Sequence, residues 1–217
     1  MIIDQTIIYF PGIYLSTRDA HKLRGYFGQI FKEHSPLLHN HFENGELRYS
    51  YPLVQYKVID KIPILMGIAE GSRLLVDLFL KLKEINIDGK VFLINSKNIE
   101  NKQFEINDFD KLYQYEFKTL WMALNQNNFK KYKSTSDKND MLNKLLIGNI
   151  LSFYKGIGIR VYEKLLMKGE FFEKTTQFKN KNMLAFSGKF VTNALLPDFI
   201  GLGKSTSRGF GTIKKIY

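Results

Sequence analysis

A glycine-rich stretch near the C-terminus has the composition of a phosphate-binding loop. Residues 201–211 read GLGKSTSRGFG and are called the glycine loop below. Glycine reaches positive φ at little cost and lets another molecule approach the backbone. Successive amide groups can then face an anion, with added charge from lysine and arginine. The residues that this interpretation assigns to anion binding are Gly201, Gly203, Lys204, Ser205, Arg208, Gly209 and Gly211.

Two other interpretations of the glycine loop compete with this one. A nucleotide-binding P-loop needs a glycine five residues before Gly203, where the chain has Asp198. It also needs a helix and a parallel sheet downstream, and only residues up to 217 follow. The sequence therefore argues against a P-loop. An ordinary glycine-rich turn before a final strand at residues 212–217 stays open.

A pair of histidines, His39 and His41, is the second feature with chemical potential. In an extended backbone, residues two apart point to the same side at about 7 Å. Histidine titrates near neutrality, so such a pair can give and take protons. The same spacing also suits two zinc ligands, but none of the candidates for a third ligand, which are His21, His34 and the carboxylates, has a telling spacing. Two solvated loop histidines are the remaining alternative.

The composition favours a polyanionic partner. The 217 residues include 32 Lys and Arg against 21 Asp and Glu, which gives a net charge of +11. Basic side chains gain by displacing counterions from phosphates, although a lysine-rich proteome would produce the same excess. The chain has no cysteine, which excludes disulfides and thiolate metal sites and favours the cytoplasm. The start of the chain does not read as a signal peptide, and no apolar run is long enough to span a membrane.

The first half of the chain predicts strands and helices in the order β-α-β-β-α-β. We expect a strand at 6–15, a helix capped by Ser16 or Thr17, a hairpin over 47–69 that turns at Asp60-Lys61, a helix at 72–85 and a strand at 91–94 that extends towards 106. This is the ferredoxin-like order. It predicts two helices on one sheet face and leaves the other face open for RNA. The basic face of the first helix carries Arg18, Lys22 and Arg24.

The second half is less regular. We expect a strand passing into a helix at 111–121, a polar loop at 125–138, a helix at 141–154, a hairpin of 171–178 with 183–194, and a last strand after the glycine loop. The fold class is therefore α+β, with tandem ferredoxin-like (RRM-like) domains. The first spans residues 1–108 and holds the histidine pair, and the second spans 109–217 and holds the glycine loop.

These features together resemble the CRISPR repeat-processing endoribonucleases of the repeat-associated mysterious protein (RAMP) superfamily. The resemblance rests on the glycine loop before a final strand and on HNHF at 39–42 followed by LRYSYPLVQYKVI at 47–59. It implies a metal-independent nuclease without cofactors that cuts the repeat RNA of the pre-crRNA transcript and leaves 2′,3′-cyclic phosphate and 5′-hydroxyl ends. Effector-complex subunits and a second copy of the chain are further expected partners, and no membrane is involved.

The resemblance also assigns roles to individual residues. His39 and His41 become general base and general acid in either order. Lys57, Tyr49 and Tyr51 become candidates for charge stabilisation, although at least one of the two tyrosines is expected to be an ordinary strand aromatic. Expected RNA contacts are the glycine loop, the helix residues Arg18, Lys22 and Arg24, and Lys189 on the late hairpin. The rival functions are a non-catalytic RAMP subunit that binds guide RNA and a general RNA-binding protein of RNA-recognition-motif type.

Overall fold

A computed structural model describes residues 1–31, 51–106, 109–178 and 181–216. The chain divides into two compact units. The first consists of Met1–Ile106 together with Ser207–Gly209, and the second of Asn107–Thr206 together with Phe210–Tyr217. Three residues of the glycine loop thus pack with the N-terminal unit although they lie near the end of the sequence.

The first unit contains a four-stranded antiparallel sheet. Its elements are β1 (Ile2–Tyr9), α1 (Ala20–Ile30), β2 (Val54–Ile59), β3 (Ile62–Ile68), α2 (Glu70–Phe79), β4 (Glu84–Ile87), β5 (Lys90–Leu93) and β6 (Asn98–Glu105). The strand order is β2-β3-β1-β6, and β4 with β5 forms a separate two-stranded sheet. This strand order, with helices after the first and third strands, is the ferredoxin-like arrangement.

Local chemistry explains several boundaries of the first unit. Ser16 and Asp19 form a capping box at the short 3₁₀ turn that leads into α1. Asp60 and Lys61 both have positive φ, 49° and 68°, as the tight turn between β2 and β3 requires. A side chain at Gly71 would clash with the Leu53 carbonyl, so α2 can begin close to the sheet only with glycine there.

On β2 and β3 the sheet face opposite the helices is buried, so the expectation that this face lies open for RNA is wrong for these strands. Tyr56, Val58 and Leu65 pack in the core cluster with residues of α1 and α2. The alternate residues of β2 and β3 point the other way and are also buried: Gln55, Lys57, Ile64, Met66 and Ile68. Every residue of β2 is buried, without the alternation that a sheet facing water shows.

The second unit repeats the same topology in a reduced form. Its elements are β7 (Tyr113–Phe117), α3 (Gln126–Ser134), α4 (Lys138–Gly156), β8 (Met167–Phe178), β9 (Lys181–Thr192) and β10 (Ile213–Ile216). The strand order is β10-β7-β9-β8, which matches that of the first sheet. Between β9 and β10 the chain has the glycine loop where a ferredoxin-like unit has its second helix. The predicted fold class is confirmed.

Four element predictions differ from the structure. The first strand ends at Tyr9, before the Pro11-Gly12 turn, and Ile85 lies in β4 rather than in the second helix. The fourth strand of the first sheet is β6, and residues 91–93 belong to the β4–β5 hairpin. No helix follows β7 directly, whereas the expected polar loop at 125–138 contains α3 and the start of α4. The Asn125 side chain caps α3 by accepting from the Asn128 amide at 2.7 Å.

Candidate nucleic-acid interface

Three of the four proposed catalytic residues cannot be placed. His39, His41 and Tyr49 lie outside the described residues, as does His34. Lys57 is described and lies on β2, six residues after Tyr51, where the described segment begins. The geometry of the candidate site is therefore built around β2.

Lys57 is a wholly buried lysine held by a neutral partner. Its Nζ donates a hydrogen bond to Gln55 Oε1 at 2.9 Å, and both side chains have an exposed fraction of 0%. Burial penalises the charged amine and lowers the pKa of Lys57 to about 7. Near neutral pH this side chain therefore exists in both protonation states, which an ordinary surface lysine does not.

Gln55 connects Lys57 to the residues that follow the histidine segment in sequence. Its Nε2 donates to the Tyr51 hydroxyl at 2.8 Å and to the Pro52 carbonyl at 3.1 Å. The amide thus uses its oxygen on Lys57 and its nitrogen on the chain just before β2. Sequence reasoning missed Gln55, and it named Tyr51 as a candidate for charge stabilisation or as an ordinary strand aromatic. The one sequence feature that points to Gln55 is that it lies two residues before Lys57, which places both side chains on the same face of the strand.

The glycine loop lies against β2 at Lys57. Gly209 has a φ of +87°, and a Cβ built on it would lie 2.8 Å from the Ala20 Cβ, 3.2 Å from the Tyr56 carbonyl oxygen and 3.7 Å from the Lys57 Cα. Only glycine combines this φ with such a close approach. The loop backbone therefore meets the first turn of α1 and the middle of β2 at one point.

Two arginines are brought together beside this contact. Arg24 of α1 is part-buried, and burial first and the charge of Arg208 second lower the pKa of its guanidinium. Arg208, in the glycine loop, is also part-buried. The charge of Arg208 acts on Arg24 because both side chains belong to the first unit. Two of the predicted RNA contacts are thus near enough for their charges to interact.

The rest of the glycine loop is fixed to the second unit by its backbone. Lys204 N–H donates to the Met122 carbonyl at 3.0 Å, and Gly211 N–H donates to the Leu120 carbonyl at 2.9 Å. A Cβ on Gly203, whose φ is +91°, would lie 2.6 Å from Trp121 Nε1. Protein carbonyls therefore occupy two amides that the phosphate-loop interpretation offered to an anion. The exposed Lys204 side chain and the part-buried Ser205 remain accessible.

The other predicted RNA contacts differ in their surroundings. Arg18 is exposed at the start of α1. Lys22 forms ion pairs with Asp19 at 2.8 Å and Asp88 at 2.7 Å, and its hydrogen bonds to these carboxylates raise its pKa. Lys189 is exposed on β9, with Glu116 of β7 and Glu170 of β8 directly opposite in the sheet register. Carboxylates thus pair with Lys22, and they flank Lys189 on the neighbouring strands.

Neither a metal cluster nor a membrane-spanning helix is found among the described residues. No group of three or more histidine, aspartate or glutamate side chains in those parts of the chain could hold a metal ion. The described helices are also too short or too polar to cross a membrane.

Comparison with known proteins relates the whole chain to one family. Family models of the Cas6b N-terminal domain and the Cas6b C-terminal domain match residues 2–105 and 108–216. A crystal structure of Cas6b shares 37% sequence identity, with a TM-score of 0.94 and full coverage of both chains. A crystal structure of the CRISPR RNA processing endoribonuclease Cas6b shares 34% identity, with a TM-score of 0.80 and full coverage of both. An uncharacterised protein of Methanocaldococcus jannaschii is 31% identical over 145 residues, which is 64% of this chain and 97% of that protein.

Proposed function

The chain belongs to the Cas6b family, and from this we propose that it is an endoribonuclease that cuts the repeat RNA of CRISPR transcripts into guide RNAs. A similar chain of known structure is described as a CRISPR RNA processing endoribonuclease, which supports the assignment. The observation that carries it here is the meeting of Gly209, Arg24, Arg208 and the Lys57 strand at one point.

The proposed reaction needs no metal, because the RNA supplies its own nucleophile. The 2′-hydroxyl attacks the adjacent phosphorus, and the bond from phosphorus to the 5′-oxygen breaks. The products are a 2′,3′-cyclic phosphate and a 5′-hydroxyl. One histidine of the pair His39 and His41 takes the proton of the 2′-hydroxyl, and the other gives a proton to the leaving 5′-oxygen. Tyr49 is a further candidate for contact with the cut phosphate.

Two kinds of positive charge are available for the dianionic transition state. Arg24 and Arg208 would hold phosphate oxygens directly, since guanidinium groups form paired hydrogen bonds to them. Lys57 is wholly buried and would act through its field, which reaches further where little water is present. Lys57 and Gln55 are then positioning residues behind the site. Lys204, Ser205 and Arg18 would contact the RNA backbone away from the cut.

One experiment tests the activity and its mechanism together. The protein is incubated in EDTA with the repeat RNA of its own locus, and the product ends are analysed. We expect cleavage with 2′,3′-cyclic phosphate ends, and a loss of about a hundredfold or more in the variants His39→Ala and His41→Ala. His21→Ala is the matched control, because His21 is an exposed histidine whose ring is hydrogen-bonded to the Arg18 carbonyl. A requirement for divalent metal, or 3′-hydroxyl ends, contradicts the proposal.

The second candidate function is a non-catalytic subunit that binds guide RNA. Binding of the repeat RNA without any cleavage, unchanged in both histidine variants, would favour it.

A further inference from the structure

Nearly all of the net charge lies in the C-terminal half of the chain. Residues 1–106 contain 13 Lys and Arg against 12 Asp and Glu, whereas residues 107–217 contain 19 against 9. The net charges of the two parts are therefore +1 and +10. The candidate site above accounts for little of this excess, because Arg24 and Lys57 lie in the first part. A further anion-binding surface in the second unit would explain it.

Helix α3 concentrates exposed positive charge. Its exposed lysines are Lys130, Lys131 and Lys133. Within the described parts of the chain, none of the three is in an ion pair, and only Lys133 is near enough for its charge to act on the Glu173 carboxylate. The next lysine, Lys138, does pair with Glu173 at 3.1 Å. Two of the three lie in the last turn of α3, where a cation interacts favourably with the negative end of the helix dipole, whereas Lys130 lies outside that turn.

The packing of α3 does not explain why it is so basic and so exposed. Tyr132 is its one buried side chain, which contacts the Phe186 ring at 5.5 Å and donates to Glu173 at 2.9 Å. Phe129, by contrast, has an exposed fraction of 41% and carries Lys133 Nζ over its ring at 5.5 Å. An exposed aromatic ring beside several lysines is what proteins that bind single-stranded nucleic acid present to bases and phosphates.

We propose that the outer face of α3, formed by Phe129, Lys130, Lys131 and Lys133, is a second RNA-binding surface that holds the backbone of a single-stranded part of the transcript. This inference rests on the proposed function, since it takes RNA as the ligand. The lysines contribute affinity that does not depend on sequence, and Phe129 offers a stacking surface for a base. The surface strengthens capture of the transcript and takes no part in the cleavage step.

The test compares RNA binding by variants of the full chain over a range of salt concentrations. The probes are the repeat RNA of its own locus and an oligouridine of the same length. We expect the triple variant K130Q/K131Q/K133Q to bind both about tenfold more weakly, with the slope of log Kd against log salt reduced by about 2, since each lost contact removes roughly 0.7. The triple arginine variant keeps the charges and should bind like the wild type.

The matched control is K83Q/K90Q/K102Q, which removes three exposed lysines from the first unit and the same net charge. It should leave affinity and salt slope within about twofold of the wild type, and melting curves check that both triple variants stay folded. An unchanged salt slope in the α3 variant, or an equal loss in the control, overturns the inference. A wild type that binds these RNAs but does not cut refutes only the proposed function. A wild type that binds neither RNA refutes both.

Discussion

Lys57 donates to Gln55 across 2.9 Å on one face of β2, and neither side chain is exposed to solvent. A buried amine held by a neutral amide has no counter-charge from that partner. Its protonation state therefore depends on burial, which lowers the pKa to about 7. This makes Lys57 sensitive to single substitutions around it, and the first two predictions use that sensitivity.

A carboxylate in place of the Gln55 amide should raise the pKa of Lys57. In Gln55→Glu the opposite charge favours the protonated amine. If that form aids cleavage, the wild-type rate falls as pH rises through about 7, and the variant keeps its rate to higher pH. Single-turnover cleavage measured across pH checks this. Gln114→Glu, at an exposed position of β7, is the control and should leave the profile unchanged. Superimposable profiles for Gln55→Glu and wild type would contradict a role for Lys57 in the reaction.

Replacing Lys57 by methionine should stabilise the fold while it impairs cleavage. The folded-state pKa is below the unfolded value of 10.5, so unfolding takes up a proton between these values and stability rises with pH. Burial of the charged amine therefore lowers the free energy of unfolding. This loss is complete below about pH 7, where it is at most about 5 kcal/mol, at 1.36 kcal/mol per pKa unit. Lys57→Met removes it.

Denaturant unfolding near pH 6 and near pH 10 measures this effect. The gain in the free energy of unfolding of Lys57→Met should be larger at the lower pH. An equal change at both pH values would show that burial of the charge is not what the substitution relieves.

The sequence predicted those parts of the fold that depend on local patterns. Alternating strands, the Asp60-Lys61 turn and the apolar stripe of α4 gave both ferredoxin-like units. Helix α3 was missed because its polar sequence offers one core residue, Tyr132, whose burial depends on Phe186 far along the chain. The open sheet face was wrong although β3 reads IPILMGI, apolar on both faces, which indicates two-sided burial.

The candidate site was predicted less completely than the fold. The glycine loop and Arg24 are predicted by residue type, but the approach of Gly209 to Ala20 and Tyr56 is a tertiary contact that no local pattern encodes. Gln55 carries no sequence signal of its own, since a glutamine in a strand is ordinary. The roles of His39 and His41 stay predictions.

Alanine at Gly209 should destabilise the chain and weaken RNA binding together. The substitution strains the backbone at φ +87° and brings a Cβ within 2.8 Å of the Ala20 Cβ. We expect a loss of about 2 to 4 kcal/mol in the free energy of unfolding, above the roughly 1 kcal/mol of backbone strain alone. Gly12→Ala is a close control, because Gly12 has the same φ of +87° in the first unit and nothing lies within 4 Å of its Cβ position. Equal losses in both variants would mean that the close contact at Gly209 contributes nothing.

Neutralising either arginine of the pair Arg24 and Arg208 should weaken RNA binding. Melting curves check that Arg24→Gln and Arg208→Gln stay folded, so that a loss of affinity reports the lost charge. With RNA bound, both guanidiniums face phosphate, and each variant should lose about tenfold or more in affinity and reduce the salt slope by about 0.7.

Lys22→Gln is the control on the same helix, because Asp19 and Asp88 already offset that charge. A double variant whose loss equals the sum of the single losses in free energy would show that the two arginines hold separate phosphates, whereas a smaller combined loss supports one shared phosphate.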